Sequence, residues 1–144
     1  MITVALTIRV LIVDDDASLR SLLHHILELS QAFEVVGTAE DGVEAIEKVT
    51  SLQPDLVLLD SVMPRLDGLE AIPKIREVSP SSQIVIFSGF PHDQVADEML
   101  RLGAVGYLQK GAQTVDQLLQ LLEKMLDGPQ FSHQLGRANE QSVP

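Results

Sequence analysis

The sequence predicts a doubly wound α/β fold, a five-stranded parallel sheet with helices on both faces, and three observations predict it. Five short β-rich apolar runs alternate strictly with segments of helical period, the pattern that folds into parallel strands joined by right-handed crossovers. The third run, Leu56-Val57-Leu58-Leu59, is apolar without interruption, as in a strand buried on both faces. Four of the runs stop at residues that bear chemistry: Asp14, Asp60, Ser88 and Lys110. Open sheets of this class bind ligands beyond the C-terminal ends of their strands.

Each element follows in order. Residues 8–13, IRVLIV, form the first strand. A helix is predicted over 17–29, where Leu19, Leu22, Leu23, Ile26 and Leu27 share one face. Residues 33–39 read as a half-exposed strand. A helix over 41–52 follows, with Val43, Ile46 and Val49 on its apolar face. The third strand is 55–59. The next helix spans 68–78, with Pro73 expected to kink it or delay its start. Residues 83–88 give the fourth strand. The helix over 92–102 is expected to end at Gly103 as a C-terminal cap. Residues 105–109 are the fifth strand and 114–126 the last helix, closed by Gly128-Pro129. The segment 128–144 is polar with little periodicity and reads as a mobile or weakly docked tail after a domain over 8–127.

Composition narrows the function. A chain of 144 residues with 45% hydrophobic residues is long and apolar enough for one domain with an ordinary core. Its net charge of −11 argues against direct nucleic-acid binding. The absence of cysteine excludes disulfides and thiolate metal sites. The N-terminus has no signal-peptide pattern and no run is long enough to span a bilayer, so a soluble, cytoplasmic protein with no membrane contact is expected.

With strands one, three, four and five as neighbours, Asp14-Asp15-Asp16, Asp60, Ser88 and Lys110 gather at one sheet edge. Clustered carboxylates repel one another unless a cation neutralises them, and carboxylate oxygens suit Mg²⁺. A site with Mg²⁺, a lysine and a serine hydroxyl suits a phosphoryl group. A carboxylate there can itself be the nucleophile.

The combination of Asp14-Asp15 after VLIV, Asp60 in LLDSVMPRLDG, Ser88 after IVIF and Lys110 after GAVGYLQ resembles the receiver domain of two-component response regulators. The resemblance covers about residues 9–126. It implies a flavodoxin-like fold with sheet order 2-1-3-4-5, an order inherited from the family and not read from these residues. It further implies that Asp60 is the phosphoacceptor. Asp15 would bind Mg²⁺ directly, Asp14 directly or through water, and the Val62 main-chain carbonyl would be a third protein ligand beside Asp60. Ser88 would bond a phosphoryl oxygen, Lys110 would pair with Asp60 or its phosphate, and Tyr107 would be the aromatic switch. Met63-Pro64 and Asp67-Gly68 would shape the loop after Asp60, with Gly68 supplying turn geometry. The implied partners are a histidine kinase or histidine phosphotransfer protein as donor, and a downstream protein or second copy as readout. Gly89 stands where alanine is frequent and Gly111 where proline is common. Val62 and Phe90, both apolar, flank the expected approach of water, which predicts slow self-dephosphorylation.

Plainer readings exist for each residue alone. Asp16 reads as a helix N-cap, and Asp14 and Asp15 as acids at the positive end of a helix. Ser88 reads as a turn hydroxyl, Lys110 as a surface residue and Tyr107 as an edge-strand aromatic. His24 and His25 are adjacent and do not share a helix face, so they read as surface residues. Two other functions fit parts of the pattern. One is a haloacid-dehalogenase-like phosphohydrolase with Asp14 as nucleophile. The other is the receiver piece of a longer DNA-binding regulator. The broad apolar face of the last helix, Leu118 to Met125, reads mainly as core with some surface left for a partner.

Overall fold

The structure is a computed structural model and describes residues 7–92 and 94–126. The strands are β1 (Ile8–Val13), β2 (Phe33–Ala39), β3 (Leu56–Leu59), β4 (Gln83–Ser88) and β5 (Gly106–Gln109). The helices are α1 (Ala17–Glu28), α2 (Gly42–Leu52), α3 (Gly68–Val78), α4 (Gln94–Leu102) and α5 (Val115–Met125). All strand pairs are parallel, in the order β2-β1-β3-β4-β5.

Side chains alternate across the sheet, and this divides the core into two layers. Val10, Ile12, Leu56, Leu58, Val85 and Phe87 point to one face, where Leu23, Ile26 and Leu27 of α1 and Leu118 and Leu122 of α5 cover them. Leu11, Val13, Val57, Leu59, Ile84 and Ile86 point to the other, under Ala45 and Val49 of α2, Ala71, Ile72 and Ile75 of α3 and Met99 of α4. Both faces of the central strands are therefore dry, which is why β3 reads as a continuous apolar run.

Helix starts follow their caps. Asp16 is the N-cap of α1 and accepts from the Ser18 and Leu19 amides. Asp41, Asp67 and Thr114 cap α2, α3 and α5, the last with a reciprocal Gln117 bond. α2 and α5 thus begin one residue later than the sequence suggests. α4 begins at Gln94, not His92, because the His92 ring instead meets Asp97 and the ring of Tyr107. Gly103 ends α4 at φ +125°.

Three expectations need correction. α3 runs unbroken through Pro73 from Gly68, so its start is not delayed. Pro73 is on the exposed side, where water can satisfy the carbonyl it leaves unpaired. Leu22 faces solvent at 53% exposure and is not part of the buried face of α1. Leu119, Leu121 and Met125 of α5 pack against the protein's own core while staying partly exposed, as expected of a face that is mainly core. Gly68 has no left-handed backbone. Its need for glycine is close approach, since a Cβ there would meet the Asp60 carbonyl oxygen at 2.7 Å. The left-handed residue of the loop is Arg65, at φ 66°. The segment 128–144 lies outside the described residues.

Candidate functional site

Strand register brings the acidic residues together. Val13 pairs with Leu59, so Asp14 and Asp60 leave the sheet side by side. The ladder continues one step further, with the Asp60 amide bonding the Val13 carbonyl at 2.9 Å and the Asp14 amide bonding the Ala39 carbonyl at 3.0 Å. Carboxylate oxygens of Asp14, Asp15 and Asp60 lie within 4.8 Å of one another. Asp14 and Asp60 are buried and Asp15 is exposed. An all-oxygen set with one solvent-facing member fits a hard divalent cation that keeps part of its water shell.

Lys110 reaches the cluster from the end of β5, where its amide bonds the Ser88 carbonyl at 2.7 Å. Its Nζ lies 2.7 Å from Asp14 Oδ2 and 3.4 Å from Asp60 Oδ2. The closer pairing is thus with Asp14, whereas the sequence reading emphasised Asp60. Asp14 Oδ1 accepts from the Asp16 amide at 2.9 Å, and the Arg20 guanidinium donates to the Asp14 carbonyl at 2.7 Å.

These surroundings set the protonation of the two central groups. Burial, then the neighbouring Asp14 charge, push the Asp60 carboxyl up to about 6, against the opposing pull of Lys110 and the Val62 amide. Burial alone would lower Lys110, but the Asp14 hydrogen bond and the charge of Asp60 outweigh it and hold the ammonium above its ordinary range.

Ser88, at the end of β4, is fully buried. Its hydroxyl contacts Ser61 Oγ at 2.5 Å and accepts from the Phe90 amide at 3.1 Å. The Tyr107 hydroxyl donates to the Phe90 carbonyl at 2.8 Å, and its ring packs against His92 with centroids 5.4 Å apart. Ser88 and Tyr107 are therefore joined through Phe90, not directly. A cavity of about 370 Å³ beside this chain is lined by Ser61, Val62, Phe90, Met99 and Tyr107 among others. The side chains of Val62 and Phe90 are 58% and 57% exposed. A Cβ on Gly89 would meet nothing within 4 Å, so the space there is open.

Two features escaped the sequence reading. Ser61 carries no motif of its own, yet it is buried against Ser88. Its signal was the β3–β4 register, in which Ser61 and Ser88 both stand two residues beyond the paired Leu59 and Ile86. Arg65 clasps the loop to α2, its Nε and Nη2 lying 2.8 and 2.7 Å from Asp41 Oδ2. The Glu44 amide and then Arg65 hold the Asp41 carboxyl below its usual range, against the opposing effect of burial. Among the described residues, no helix is long and apolar enough to cross a membrane.

Comparison with known proteins agrees with this architecture. A family model described as the response regulator receiver domain matches residues 10–123. The chain is 40% identical over 119 residues to the nitrate/nitrite response regulator protein NarL of Escherichia coli K12, covering 83% of this chain but only 55% of that protein. It is 37% identical over 117 residues to the chemotaxis protein CheY of Listeria monocytogenes, covering 81% of this chain and 97% of that one. A solved CheX–CheY–BeF₃–Mg²⁺ complex from Borrelia burgdorferi superposes with a TM-score of 0.78 at 27% identity, covering 85% of this chain and 92% of that one.

Proposed function

The chain belongs to the response regulator receiver domain family, and from that premise we propose that it is a phosphoacceptor switch with Asp60 as the acceptor. One observation carries the reading: carboxylate oxygens of Asp14, Asp15 and Asp60 lie within 4.8 Å of one another, and the Lys110 ammonium reaches both buried members. The unit that performs the task is residues 8–127.

In the transfer, an Asp60 carboxylate oxygen attacks the phosphorus of a phosphohistidine. The new O–P bond forms as the P–N bond breaks, and the imidazole leaves with the bonding pair and takes up a proton. The site favours this in three ways. Asp60, though raised to about 6, is still largely ionised and nucleophilic at neutral pH. Lys110 is held protonated and offers positive charge to the transferred oxygens. Ser88 supplies a hydroxyl proton to a phosphoryl oxygen after it moves. Asp14, Asp15 and Asp60, with the Val62 carbonyl, would hold Mg²⁺, which when bound neutralises charge on the phosphoryl oxygens.

The acyl phosphate then biases a two-state equilibrium. Moving Ser88 disturbs its bond to Phe90, and through Phe90 the hydroxyl of Tyr107, whose ring has the adjoining cavity to enter. The readout face is α4, β5 and α5, recognised by a downstream protein or by a second copy. The donor is a histidine kinase or histidine phosphotransfer protein, which places the chain in the cytoplasm. The acidic net charge of −11 supports no direct nucleic-acid contact by this chain.

Incubation with Mg²⁺ and acetyl phosphate, followed by intact mass, tests the proposal. We expect a gain of one phosphoryl group that needs Mg²⁺ and is absent from Asp60→Asn. No gain with either acetyl phosphate or a phosphohistidine donor would refute it.

A further inference from the structure

Four residues form a continuous polar chain from the acidic site to the surface. Ser61 Oγ meets Ser88 Oγ at 2.5 Å, the Phe90 amide donates to Ser88 Oγ at 3.1 Å, and the Tyr107 hydroxyl donates to the Phe90 carbonyl at 2.8 Å. Ser61 and Ser88 are 8% and 0% exposed, so water does not substitute freely for their mutual bond. Among the described residues, no hydrogen bond joins Ser88 to the Asp60 carboxylate.

A serine hydroxyl has one proton and two acceptor sites. The Phe90 amide occupies one acceptor site of Ser88. If Ser61 donates to Ser88, the second acceptor site is filled as well. If Ser88 donates to Ser61, its only proton is committed. In the second arrangement Ser88 can give its proton to a phosphoryl oxygen only by leaving Ser61 or reversing their bond; in the first its proton is free, but a turn of Ser88 toward Asp60 still breaks the bond that Ser61 donates.

We propose that Ser61 is a positioning residue of the switch: its hydroxyl holds Ser88 in the resting form and opposes the turn of Ser88 toward a phosphoryl group on Asp60. The inference rests on the phosphoacceptor reading above and adds a residue to it. Ser61 touches no reacting atom. It acts through Ser88, and its effect should be visible at Tyr107, the far end of the chain.

The test is a titration of the full chain with beryllofluoride, a phosphoryl mimic, at saturating Mg²⁺. Tyr107 emission reports binding, since the chain has one tyrosine and no tryptophan. Ser61→Ala should lower the half-saturating concentration about five-fold, the equivalent of about 1 kcal/mol or one net hydrogen bond. Ser61→Thr, which restores the hydroxyl, should keep the wild-type value. A merely structural role for Ser61 predicts equal or weaker binding in Ser61→Ala, and that result would overturn the proposal. Should the alanine variant not fold, Ser61→Cys keeps the side-chain shape with a weaker donor and should tighten binding by a smaller factor. Unchanged binding there overturns the proposal equally. A wild-type chain with no Mg²⁺-dependent response would instead remove the phosphoacceptor reading itself, and this inference with it.

Discussion

Asp60→Asn should stabilise the metal-free protein. The carboxyl of Asp60 is raised from 3.8 to about 6 on folding, by burial first and by the Asp14 charge second. A carboxyl raised in the folded state contributes stability below its unfolded value and loses it as pH rises through the folded one. Near neutral pH the ionised Asp60 is therefore a standing cost. A shift of roughly two units corresponds to about 3 kcal/mol at most. The site opens to solvent at Asp15, and screening reduces the figure to about 1–2 kcal/mol. Asparagine keeps the shape and removes the charge. In chelator at about pH 7.5, the variant should melt roughly 4–8 °C above wild type, taking about 4 °C per kcal/mol for a domain of this size. The gap should narrow as pH falls from about 6 toward 3.8 and close below that unfolded value, where wild type is protonated in both states. Millimolar Mg²⁺ should narrow it as well, because a cation relieves the same repulsion. An Asp60→Asn chain no more stable than wild type at neutral pH in chelator would refute the electrostatic reasoning.

Other predictions follow from the same geometry. Lys110→Met leaves Asp14 and Asp60 without the ammonium that now lies 2.7 and 3.4 Å from them. It should cost about 1–3 kcal/mol by urea unfolding in chelator at neutral pH, less in acid or with Mg²⁺. Gly42→Ala would bring a Cβ to 2.2 Å from the Leu66 carbonyl oxygen, a backbone neighbour with no room to yield. Destabilisation of about 1–3 kcal/mol is expected, and calorimetric titration should show weaker Mg²⁺ binding as the loop carrying Val62 is displaced. Val62→Asn places a polar group where two exposed apolar side chains now flank the site. It should shorten the phosphoryl half-life several-fold by orienting water, measured by the decay of the phosphorylated mass. An unchanged half-life there would count against slow turnover arising from Val62.

Much of this fold is legible in the residues. β3 announces itself because both its faces are covered by core, so every position is apolar. The helix start at Asp16 is legible because capping is local chemistry. Asp14, Asp60 and Lys110 could be placed together because strand ends in a parallel sheet share one edge. What escaped depended on contacts between distant segments. Gly68 reads as a source of turn geometry, but glycine is needed there for close approach to the Asp60 carbonyl, and the left-handed residue of the loop is Arg65, held by the Asp41 carboxylate. Ser61 has no local signature, and its role appears only once β3 and β4 are in register. The early start assigned to α4 failed because His92 spends its ring on Asp97 and Tyr107. Sheet order was borrowed from the family resemblance, since alternation alone allows several orders.

The central claim is that the phosphoryl group resides on Asp60. Borohydride reduction of the phosphorylated chain converts an aspartyl phosphate to homoserine, and peptide mass mapping then locates it. The account predicts homoserine at residue 60 alone. Conversion at Asp14 would contradict it and favour a hydrolase that uses the first strand's acid, and conversion at no residue in a chain that carries the phosphoryl mass would contradict an acyl phosphate altogether.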